Sequence, residues 1–275
     1  MMSLRLDRHY IPELPLWADS SLIKELGPRL GTIASLVDQD ASVLDAGTDH
    51  GLLAIGLAAS GRARLVVASD VHEEPLANCR RNLAAASPLA QSRIDVRLGD
   101  GLAVLSPGEV DTITVAGMGG PKVLEILFGG GADGRGPPAE ALGIRRAVLQ
   151  PTSNFEDVRA ELCSRGWTIT HEGLTSSGRW AHVVLAADAP AGAACTGGGP
   201  GPWAPMLCEE DVVLGPLLRR RPACGLYRAW LRHRLEYFLA VDQGGARTGR
   251  CGPGDVAAGR RVFIIERFLQ RAQVP

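Results

Sequence analysis

The chain has 275 residues, 45% of them hydrophobic, and a formal net charge of −1 at pH 7. This length fits one large domain, or one domain with an appendage, and the apolar content can fill a sizeable core. No apolar run approaches the ~20 residues of a membrane-spanning helix, and the N-terminus lacks the apolar segment of a secretory signal. We therefore expect a soluble, cytoplasmic protein, or an organellar one in a eukaryote.

Apolar residues at helical spacing predict a helical region over residues 20–37, which Gly27-Pro28 should break into two short helices. Strand-like and helical segments then alternate. The predicted strands are 42–46, 64–70, 93–98, 110–116, 145–150, 167–174 and 179–188, with helices near 51–60, 73–86, 120–128 and 154–165. This alternation predicts an α/β fold with a mostly parallel sheet covered on both faces. Two adjacent strands at its end predict a closing hairpin, and hence one antiparallel strand.

Glycine-rich segments interrupt the pattern at 129–138, expected to be a surface insertion, and at 189–205, expected to be a linker or loop. Helices are predicted beyond the linker, at 217–241 and 260–272. A second glycine-rich stretch, 244–254, should separate them. We therefore divide the chain into an α/β domain, a linker and a basic helical region, over residues 1–188, 189–206 and 207–275.

Charge is distributed unevenly between these parts. From Gly215 to the C-terminus there are twelve arginines and four acidic residues, a net charge of +8, so the preceding 214 residues carry −9. Such asymmetry indicates either a polyanion-binding region or a solvated helical surface.

The six cysteines show neither a CxxC pair nor the spacing of metal ligands. Scattered cysteines in a chain of this length are more often free thiols in a reducing compartment than disulfide partners. We expect no metal site.

The first predicted strand runs into a glycine-containing turn and a helix, in the sequence SVLDAGTDHGLLAIGLAAS (residues 42–60). Asp45 ends the strand, and Gly47 and Gly51 flank the turn. In open α/β sheets, ligands bind at the carboxyl ends of the strands, often against such a turn. A tight turn in an enzyme whose site lies elsewhere is the alternative.

Acidic and glycine residues also follow the next three predicted strands. Asp70 closes the second strand, near the spacing at which an acid meets ribose hydroxyls. Asp100 and Gly101 follow the third strand, where an aspartate can accept from an adenine amino group and a glycine lets the backbone approach the ring. The AGMGG segment (116–120) follows the fourth strand and leaves room for a substrate. Four such strand ends favour a nucleotide site.

The turn lacks the G-x-G-x-x-G string with which dinucleotide-binding proteins hold a pyrophosphate. Asp49 stands where that phosphate would lie, and two anions in contact would repel each other. S-adenosylmethionine carries a sulfonium and an ammonium but no phosphate, so an acidic turn attracts it. The residues therefore favour a methyltransferase over a dehydrogenase.

The segments LDAGTDHGLLA, GDGL, ITVAGMGG, LQP and GPLL occur in this order. With them the chain resembles TrmK, the bacterial tRNA adenine-N1 methyltransferase family that modifies the adenine at position 22. The likeness runs from about Leu22 to the C-terminal helices. It implies a class I methyltransferase (Rossmann-like) fold, with residues 1–188 as the donor-binding domain. It also implies S-adenosyl-L-methionine as donor, tRNA as partner and a C-terminal helical hairpin that helps to hold the tRNA. We expect a monomer with no membrane or metal partner.

The expected donor contacts follow from the resemblance and from the acidic and glycine residues at the strand ends. Arg29 and Leu30 are expected to close the pocket. The expected donor contacts are Arg29, Asp45, Gly47, Thr48, Asp49, His50, Gly51, Asp70, Val71, Asp100, Gly101, Leu102, Ala116, Gly117, Met118 and Gly119. Asp49 and His50 are the first candidates for positioning or acid–base roles, with Gly117 and Met118 beside the reacting centre. Met118 fits a pocket wall better than a catalytic group, and His50 fits a structural hydrogen-bonding role equally well.

For the substrate, we expect Gln150, Pro151 and Asn154 to line the target base. The candidates for phosphate contacts are Arg219, Arg220, Arg221, Arg228, Arg232 and Arg234. Three aromatic residues lie among these arginines, and at their spacing they are more often helix core than base-stacking platforms. They are Tyr227, Trp230 and Tyr237.

The chain departs from the family pattern in three places. Thr152 follows LQP where the family usually has Asn, the glycine-rich segment 189–205 is not typical, and the hairpin is predicted to be shorter and interrupted at 244–254. Other readings remain open: a methyltransferase acting on another RNA or a small molecule, a catalytically silent RNA-binding relative, or an NAD-dependent oxidoreductase.

Overall fold

A computed structural model of the chain describes residues 4–5, 18–129, 137–177, 180–190, 207–220, 224–248 and 253–271. Most of the predicted insertion at 129–138 and of the linker at 189–206 lies outside the described residues. Within them, no helix combines the length and apolar character that a membrane crossing requires.

Helices and strands alternate through most of the chain. In chain order they are β1 (Leu4–Arg5), α1 (Ser20–Ser35), β2 (Ala41–Ala46), α2 (Leu52–Ala59), β3 (Ala63–Asp70), α3 (Glu73–Ala84), α4 (Pro88–Arg93), β4 (Ile94–Leu98), β5 (Thr112–Met118), α5 (Gly120–Leu124), β6 (Arg146–Pro151), α6 (Phe155–Ser164), β7 (Thr168–Ser177), β8 (Trp180–Asp188), α7 (Glu209–Leu214), α8 (Gly225–Thr248) and α9 (Pro253–Arg271). A π-helical turn at Glu125–Gly129 follows α5, and short 3-10 turns lie at Gly101–Val104, Ala139–Leu142 and Leu218–Arg220.

The strands form one sheet in the order β4-β3-β2-β5-β6-β8-β7, with β1 beside the beginning of β8. Among the described strands, β8 alone runs in the direction opposite to the others. The predicted parallel sheet and its closing hairpin are therefore confirmed. The strand order reverses between β2 and β5, which is where open α/β sheets bind their ligands.

Helices cover both faces of the sheet. On one face, α1 and α2 enclose an apolar cluster that includes Ile33, Leu57 and Val184. On the other face, α5 and α6 cover a cluster that includes Leu149 and Leu185. The two clusters hold the strands rigidly, so that the carboxyl ends of β2, β3 and β5 present their loops from a fixed edge.

A third apolar cluster joins the C-terminal helices to the sheet. It contains Phe155 of α6, Val183 of β8, Trp230 of α8 and Ile265 of α9. Tyr227 and Trp230 are 1% exposed, as expected for core aromatics. The C-terminal helices thus share a packed core with the α/β part.

The break predicted at Gly27-Pro28 is present, because Gly27 has φ +77° inside α1. The interruption predicted at 244–254 is wrong over most of its length, since α8 continues to Thr248 and α9 begins at Pro253. Proline fits the first position of a helix, where its missing N–H is not needed. Each helical glycine costs about 1 kcal/mol relative to alanine, and α8 packs against α9.

Three short elements have too little periodicity to be found from the sequence, namely β1, α4 and α7. Helix α4 begins at Pro88, after Ser87, whose hydroxyl accepts a hydrogen bond from the N–H of Ala90 at 3.3 Å. The helix predicted from residue 217 starts only at Gly225, and a 3-10 turn precedes it.

Candidate active site

A pocket of about 110 Å³ opens at the carboxyl end of β2, where the strand order reverses. Residues of α1, the end of β2, the β2–α2 turn, the start of α2 and one residue of β5 form its walls. The lining residues are Arg29, Leu30, Asp45, Gly47, Thr48, Asp49, His50, Gly51, Leu52, Leu53 and Ala116. The structure therefore brings together the predicted turn residues, and it places Arg29 and Leu30 against them as predicted.

Asp45 forms the buried base of the pocket and is 5% exposed. Its carboxylate accepts hydrogen bonds from the hydroxyls of Thr48 at 2.7 Å and Thr114 at 2.8 Å. Burial raises the pKa of Asp45, while these two hydroxyls and the charge of Arg29 oppose that rise. Asp45 thus anchors the turn from below.

The two glycines of the turn are required by its shape. Gly47 and Gly51 have φ of +79° and +70°, which side chains rarely adopt. A Cβ at Gly47 would overlap the terminal methyl of Met118, and one at Gly51 would lie 2.5 Å from Sγ of Cys79. The N–H groups of Gly47 and Thr48 both donate to the carbonyl of Ser69, at 2.8 and 3.0 Å, which fixes the turn to the end of β3.

Asp49 and His50 project from the turn to the mouth of the pocket. Their side chains are 74% and 54% exposed, and Nε2 of His50 lies 3.5 Å from Oδ2 of Asp49. The carbonyl of His50 accepts a hydrogen bond from Nδ2 of Asn82 at 2.8 Å. The backbone of His50 therefore holds the turn against α3, while its ring remains accessible beside the carboxylate of Asp49.

The two other predicted acids lie at the ends of β3 and β4. Asp70 is half-buried, and its Oδ1 accepts from the N–H of His72 at 2.9 Å. Oδ1 of Asp100 lies 3.5 Å from Nζ of Lys122, which also donates to Glu125 at 2.9 Å. Sequence reasoning missed Lys122, although it is one of two lysines in the chain and lies two residues after the glycine segment 116–120.

Apolar residues flank these acids. Val71 and Leu98 are 49% and 57% exposed, whereas Leu102 is buried, and Gly101 has φ +50°. An exposed apolar surface between two carboxylates suits the faces of a flat heterocycle whose polar edge the carboxylates bind.

The glycine segment 116–120 is a bulge at the end of β5. Ala116 pairs with Gln150 and Met118 with Pro151, so Gly117 is an extra residue, and it has φ +79°. The carbonyl of Met118 accepts from the N–H of Thr152 at 2.8 Å. Thr152, where the family usually has Asn, thus supports the bulge through its backbone. Such bulges redirect the chain beside active sites.

A group of polar side chains fills the space between α1 and the sheet. Nη1 of Arg29 donates to Oε1 of Gln150 at 3.1 Å, and Nε2 of Gln150 donates to the carbonyl of Pro151 at 3.2 Å. Burial lowers the pKa of Arg29, and the charge of Asp45 opposes this. Burial, with the charge of Arg29, lowers the pKa of His182 on β8 to about 4.

The residues predicted to line the target base occupy different environments. Gln150 is 1% exposed and held by Arg29, and Pro151 is buried at the end of β6. Asn154 is exposed, has φ +52° and donates from Nδ2 to Asp157 at 3.0 Å. No sequence motif marks His182 as a site residue. In the structure it lies close enough to Arg29 for the charge of Arg29 to lower its pKa.

The prediction that Arg234 contacts phosphates is wrong. This side chain is 2% exposed, forms an ion pair with Glu156, and lies 4.9–5.2 Å from the rings of Phe155, Trp230 and Phe238. Its position on the inner face of α8 makes it part of the core.

The other predicted phosphate contacts differ in exposure. Arg219 forms ion pairs with Glu210 at 3.0 Å and Asp211 at 2.7 Å. Arg220 and Arg232 are exposed, and Arg228 is half-buried. Arg221 lies outside the described residues.

Within the described part of the chain, no cluster of three or more His, Cys, Asp and Glu residues could hold a metal ion. Four of the six cysteines are described, and all four are free thiols: Cys79, Cys163, Cys208 and Cys224.

Residues 26–185 match the family model described as a methyltransferase domain. A tRNA (adenine(22)-N(1))-methyltransferase of Bacillus subtilis is 26% identical over 222 residues, covering 80% of this chain and 87% of that protein. The crystal structure of the B. subtilis m1A22 tRNA methyltransferase TrmK superposes with a TM-score of 0.70 at 21% identity, over 88% of this chain and 97% of that one. A Streptococcus pneumoniae protein solved with S-adenosyl-L-methionine gives a TM-score of 0.68 at 26% identity, over 88% and 98%.

The strand order, the acidic turn at the switch point and the match over residues 26–185 define a methyltransferase domain of class I. Within that class, the chain belongs to the TrmK family, as its resemblance in sequence predicted.

Proposed function

We propose that this protein is an S-adenosylmethionine-dependent methyltransferase that methylates N1 of an adenine in tRNA, the adenine at position 22. The observation that carries this proposal is the pocket of a TrmK-family chain, in which the exposed carboxylate of Asp49 occupies the turn where a dinucleotide would need phosphate-binding groups. That turn disfavours an NAD-dependent oxidoreductase, because a phosphate there would meet a like charge.

The residues around the pocket fit the donor group by group. Asp49 suits the cationic ammonium and sulfonium, and the guanidinium of Arg29 suits a carboxylate. Asp70 has the position for the ribose hydroxyls and Asp100 for the adenine amino group, with Val71 and Leu102 flanking the ring. When bound, the donor supplies a methyl group on a positively charged sulfur.

The protein's own task in this reaction is alignment. N1 of adenine already carries a lone pair, so transfer needs no strong base, and the rate depends on holding the nitrogen in line with the methyl group. The bulge at Gly117 keeps the acceptor side of the pocket free of side chains. The target base must leave its stack to reach that side.

Methylation leaves a cationic adenine, which nearby carboxylates or backbone carbonyls stabilise. Asp49 and His50 are the side chains at the mouth of the pocket that we assign to positioning or proton transfer. The ring of His50 is accessible for this role, while its backbone carbonyl already holds the turn.

The tRNA is bound by the basic C-terminal helices, over residues 207–275. Arg234 is buried and is left out of this set. The exposed arginines that we assign to phosphate contacts are Arg220, Arg232, Arg267 and Arg271. The donor and tRNA groups all lie on one chain, so we propose a monomer. We also propose a cytoplasmic location, which a tRNA substrate and the bacterial relative support.

The test is to incubate unmodified tRNA with isotopically labelled S-adenosylmethionine and to identify the product by nucleoside mass spectrometry. We expect N1-methyladenosine, mapped to position 22. Label in another nucleoside, or in none, contradicts the proposal. A fluorescence titration of S-adenosylmethionine against NADH separates the methyltransferase from the oxidoreductase, because only the donor should bind.

A further inference from the structure

The beginning of β8 lies at the same edge of the sheet as the donor pocket, because β8 runs antiparallel to β6. Side chains alternate along a strand. Val184 and Ala186 belong to the apolar cluster under α1, whereas Val183 belongs to the cluster on the opposite face. The side chains of Trp180 and His182 therefore lie on the face of the sheet that α1 covers. His182 is close enough to Arg29 for the charge of Arg29 to lower its pKa.

His182 has an unused hydrogen-bonding atom at this place. Its Nε2 is buried and makes no hydrogen bond to any described residue. Its register partner on β7, Thr175, by contrast donates to the carbonyl of Pro28 at 2.9 Å. A buried polar atom without a partner needs an explanation, and a ligand that binds at the site is one.

The imidazole is also kept neutral. Burial and the charge of Arg29 lower the pKa of His182 to about 4, so one ring nitrogen donates and the other accepts at neutral pH. A neutral ring suits a nucleobase edge, where donors and acceptors alternate. It suits a phosphate poorly, because a phosphate is best bound by a cation.

Trp180 is exposed at the same edge. Its side chain is 43% exposed, whereas Trp167 and Trp230 are 0% and 1% exposed. Two residues along a strand separate it from His182 by roughly 7 Å on the same face, which is within the span of one nucleotide. An exposed indole next to a buried hydrogen-bonding atom has the composition of a base-binding site.

We propose that Trp180 and His182 form the subsite for the acceptor adenine, with Trp180 stacked on the base and Nε2 of His182 bound to an edge other than N1. The inference rests on the proposed function and specifies where its substrate binds. His182 is not part of the donor pocket wall. Arg29 lines the donor pocket and donates a hydrogen bond to Gln150. N1 must face the donor, so the imidazole binds the base from the far side.

The experiment compares Trp180→Ala, Trp180→Phe, His182→Ala and His182→Gln with the wild type. Each variant is measured for melting temperature, for S-adenosylhomocysteine affinity by calorimetry, and for kcat and KM with tRNA. The matched control is His171→Ala, a histidine on the same hairpin that pairs with Ala186, away from the site.

Trp180→Ala should lower kcat/KM for tRNA by about tenfold or more, the usual effect of losing one base stack, and Trp180→Phe should retain most of it. His182→Ala should lower kcat/KM similarly, with partial recovery in His182→Gln. S-adenosylhomocysteine affinity should change by less than about twofold, as should every value for the control. If His182→Ala fails to fold, the two Trp180 variants still decide the question.

Two results overturn the subsite alone: variants as active as a wild type that produces N1-methyladenosine, or variants whose S-adenosylhomocysteine affinity falls as much as kcat/KM. A wild type that binds S-adenosylhomocysteine but methylates no adenine in tRNA overturns the proposed function, and the subsite with it.

Discussion

Arg159 of α6 and Glu172 of β7 form an ion pair at 2.7 Å, and neither side chain is exposed to solvent. Helix α7 binds Arg159, and the segment after α7 binds Glu172. Nη1 of Arg159 donates to the carbonyl of Val212 at 2.9 Å, and Oε2 of Glu172 accepts from the N–H of Leu217 at 3.3 Å. The pair therefore ties the C-terminal helices to β7, at the edge of the sheet.

Glu172→Ala should reduce the free energy of unfolding by about 3–5 kcal/mol, because it leaves the guanidinium of Arg159 buried without its counter-charge. The matched control is Glu210→Ala, which removes a partly exposed partner of Arg219 and should cost about 1 kcal/mol or less. Denaturant unfolding measures both. Equal losses of unfolding free energy would show that the buried ion pair stabilises the fold no more than the partly exposed one.

Substitutions of Arg232 and Arg234 should have different effects, although the two residues are close on α8. Arg232→Gln should reduce the slope of log affinity for tRNA against log salt by about one, because an exposed phosphate contact is lost. Arg234→Met should leave that slope unchanged and lower stability, because Glu156 loses its buried partner. A salt series of tRNA binding and a melting curve for each variant distinguish them. A changed slope in Arg234→Met would contradict its assignment to the core.

Asp49→Ala should weaken binding of S-adenosylmethionine by about tenfold or more, because the carboxylate that we propose to pair with the cationic donor is lost. Asp38→Ala is the control, since Asp38 is also exposed, at 69%, but precedes β2 at the opposite edge of the sheet. Calorimetry with the purified protein measures both affinities. Unchanged donor affinity in Asp49→Ala would refute the role given to that carboxylate.

Gly47→Ala should weaken donor binding by about tenfold or more and destabilise the fold, because Gly47 lines the donor pocket and its substitution displaces the end of Met118. Both Gly47 and Gly61 have positive φ, +79° and +75°, so alanine at either costs about 1–2 kcal/mol of backbone strain. A Cβ at Gly47 also overlaps Met118, whereas one at Gly61 comes no nearer than 3.9 Å to Nη1 of Arg93. Gly61→Ala should therefore lose stability and keep donor affinity. If both variants lost donor affinity, the loss in Gly47→Ala would be explained by destabilisation of the fold alone.

The melting temperature of the wild type should fall more steeply than that of His182→Gln as the pH is lowered from 6.5 to 4. The folded pKa of His182 is about 4, below its ordinary value of 6.5, so the unfolded chain binds more protons in this window. The contribution of the neutral ring is therefore complete above pH 6.5 and is lost as the pH falls towards 4. Parallel melting curves across the window would contradict the lowered pKa.

The donor site could be predicted because its residues follow one another along the chain. Strand ends, glycines with positive φ and acids at fixed spacing are local features, and Asp45, Gly47 and Asp49 meet in one pocket as expected. The proposed acceptor subsite could not be predicted in the same way. His182 meets Arg29 across more than 150 residues, and a lone histidine in an apolar strand carries no signal of that meeting.

The error at Arg234 has a different cause. Counting charges along residues 215–275 does not say which face of a helix is buried. Arg234 follows Tyr227 by seven residues and Trp230 by four, which places all three on one face of α8. The helical spacing therefore predicts that Arg234 lies on the buried face of α8, whereas the net charge of the segment does not.

The hydrogen bond from Arg29 to Gln150 joins the donor pocket, which Arg29 lines, to a residue predicted to line the target base. If the donor's carboxylate draws Arg29 away from Gln150, donor and tRNA become thermodynamically linked. The factor by which the donor changes tRNA affinity must then equal the factor by which tRNA changes donor affinity. One measurement of donor affinity with and without tRNA therefore gives the coupling in both directions.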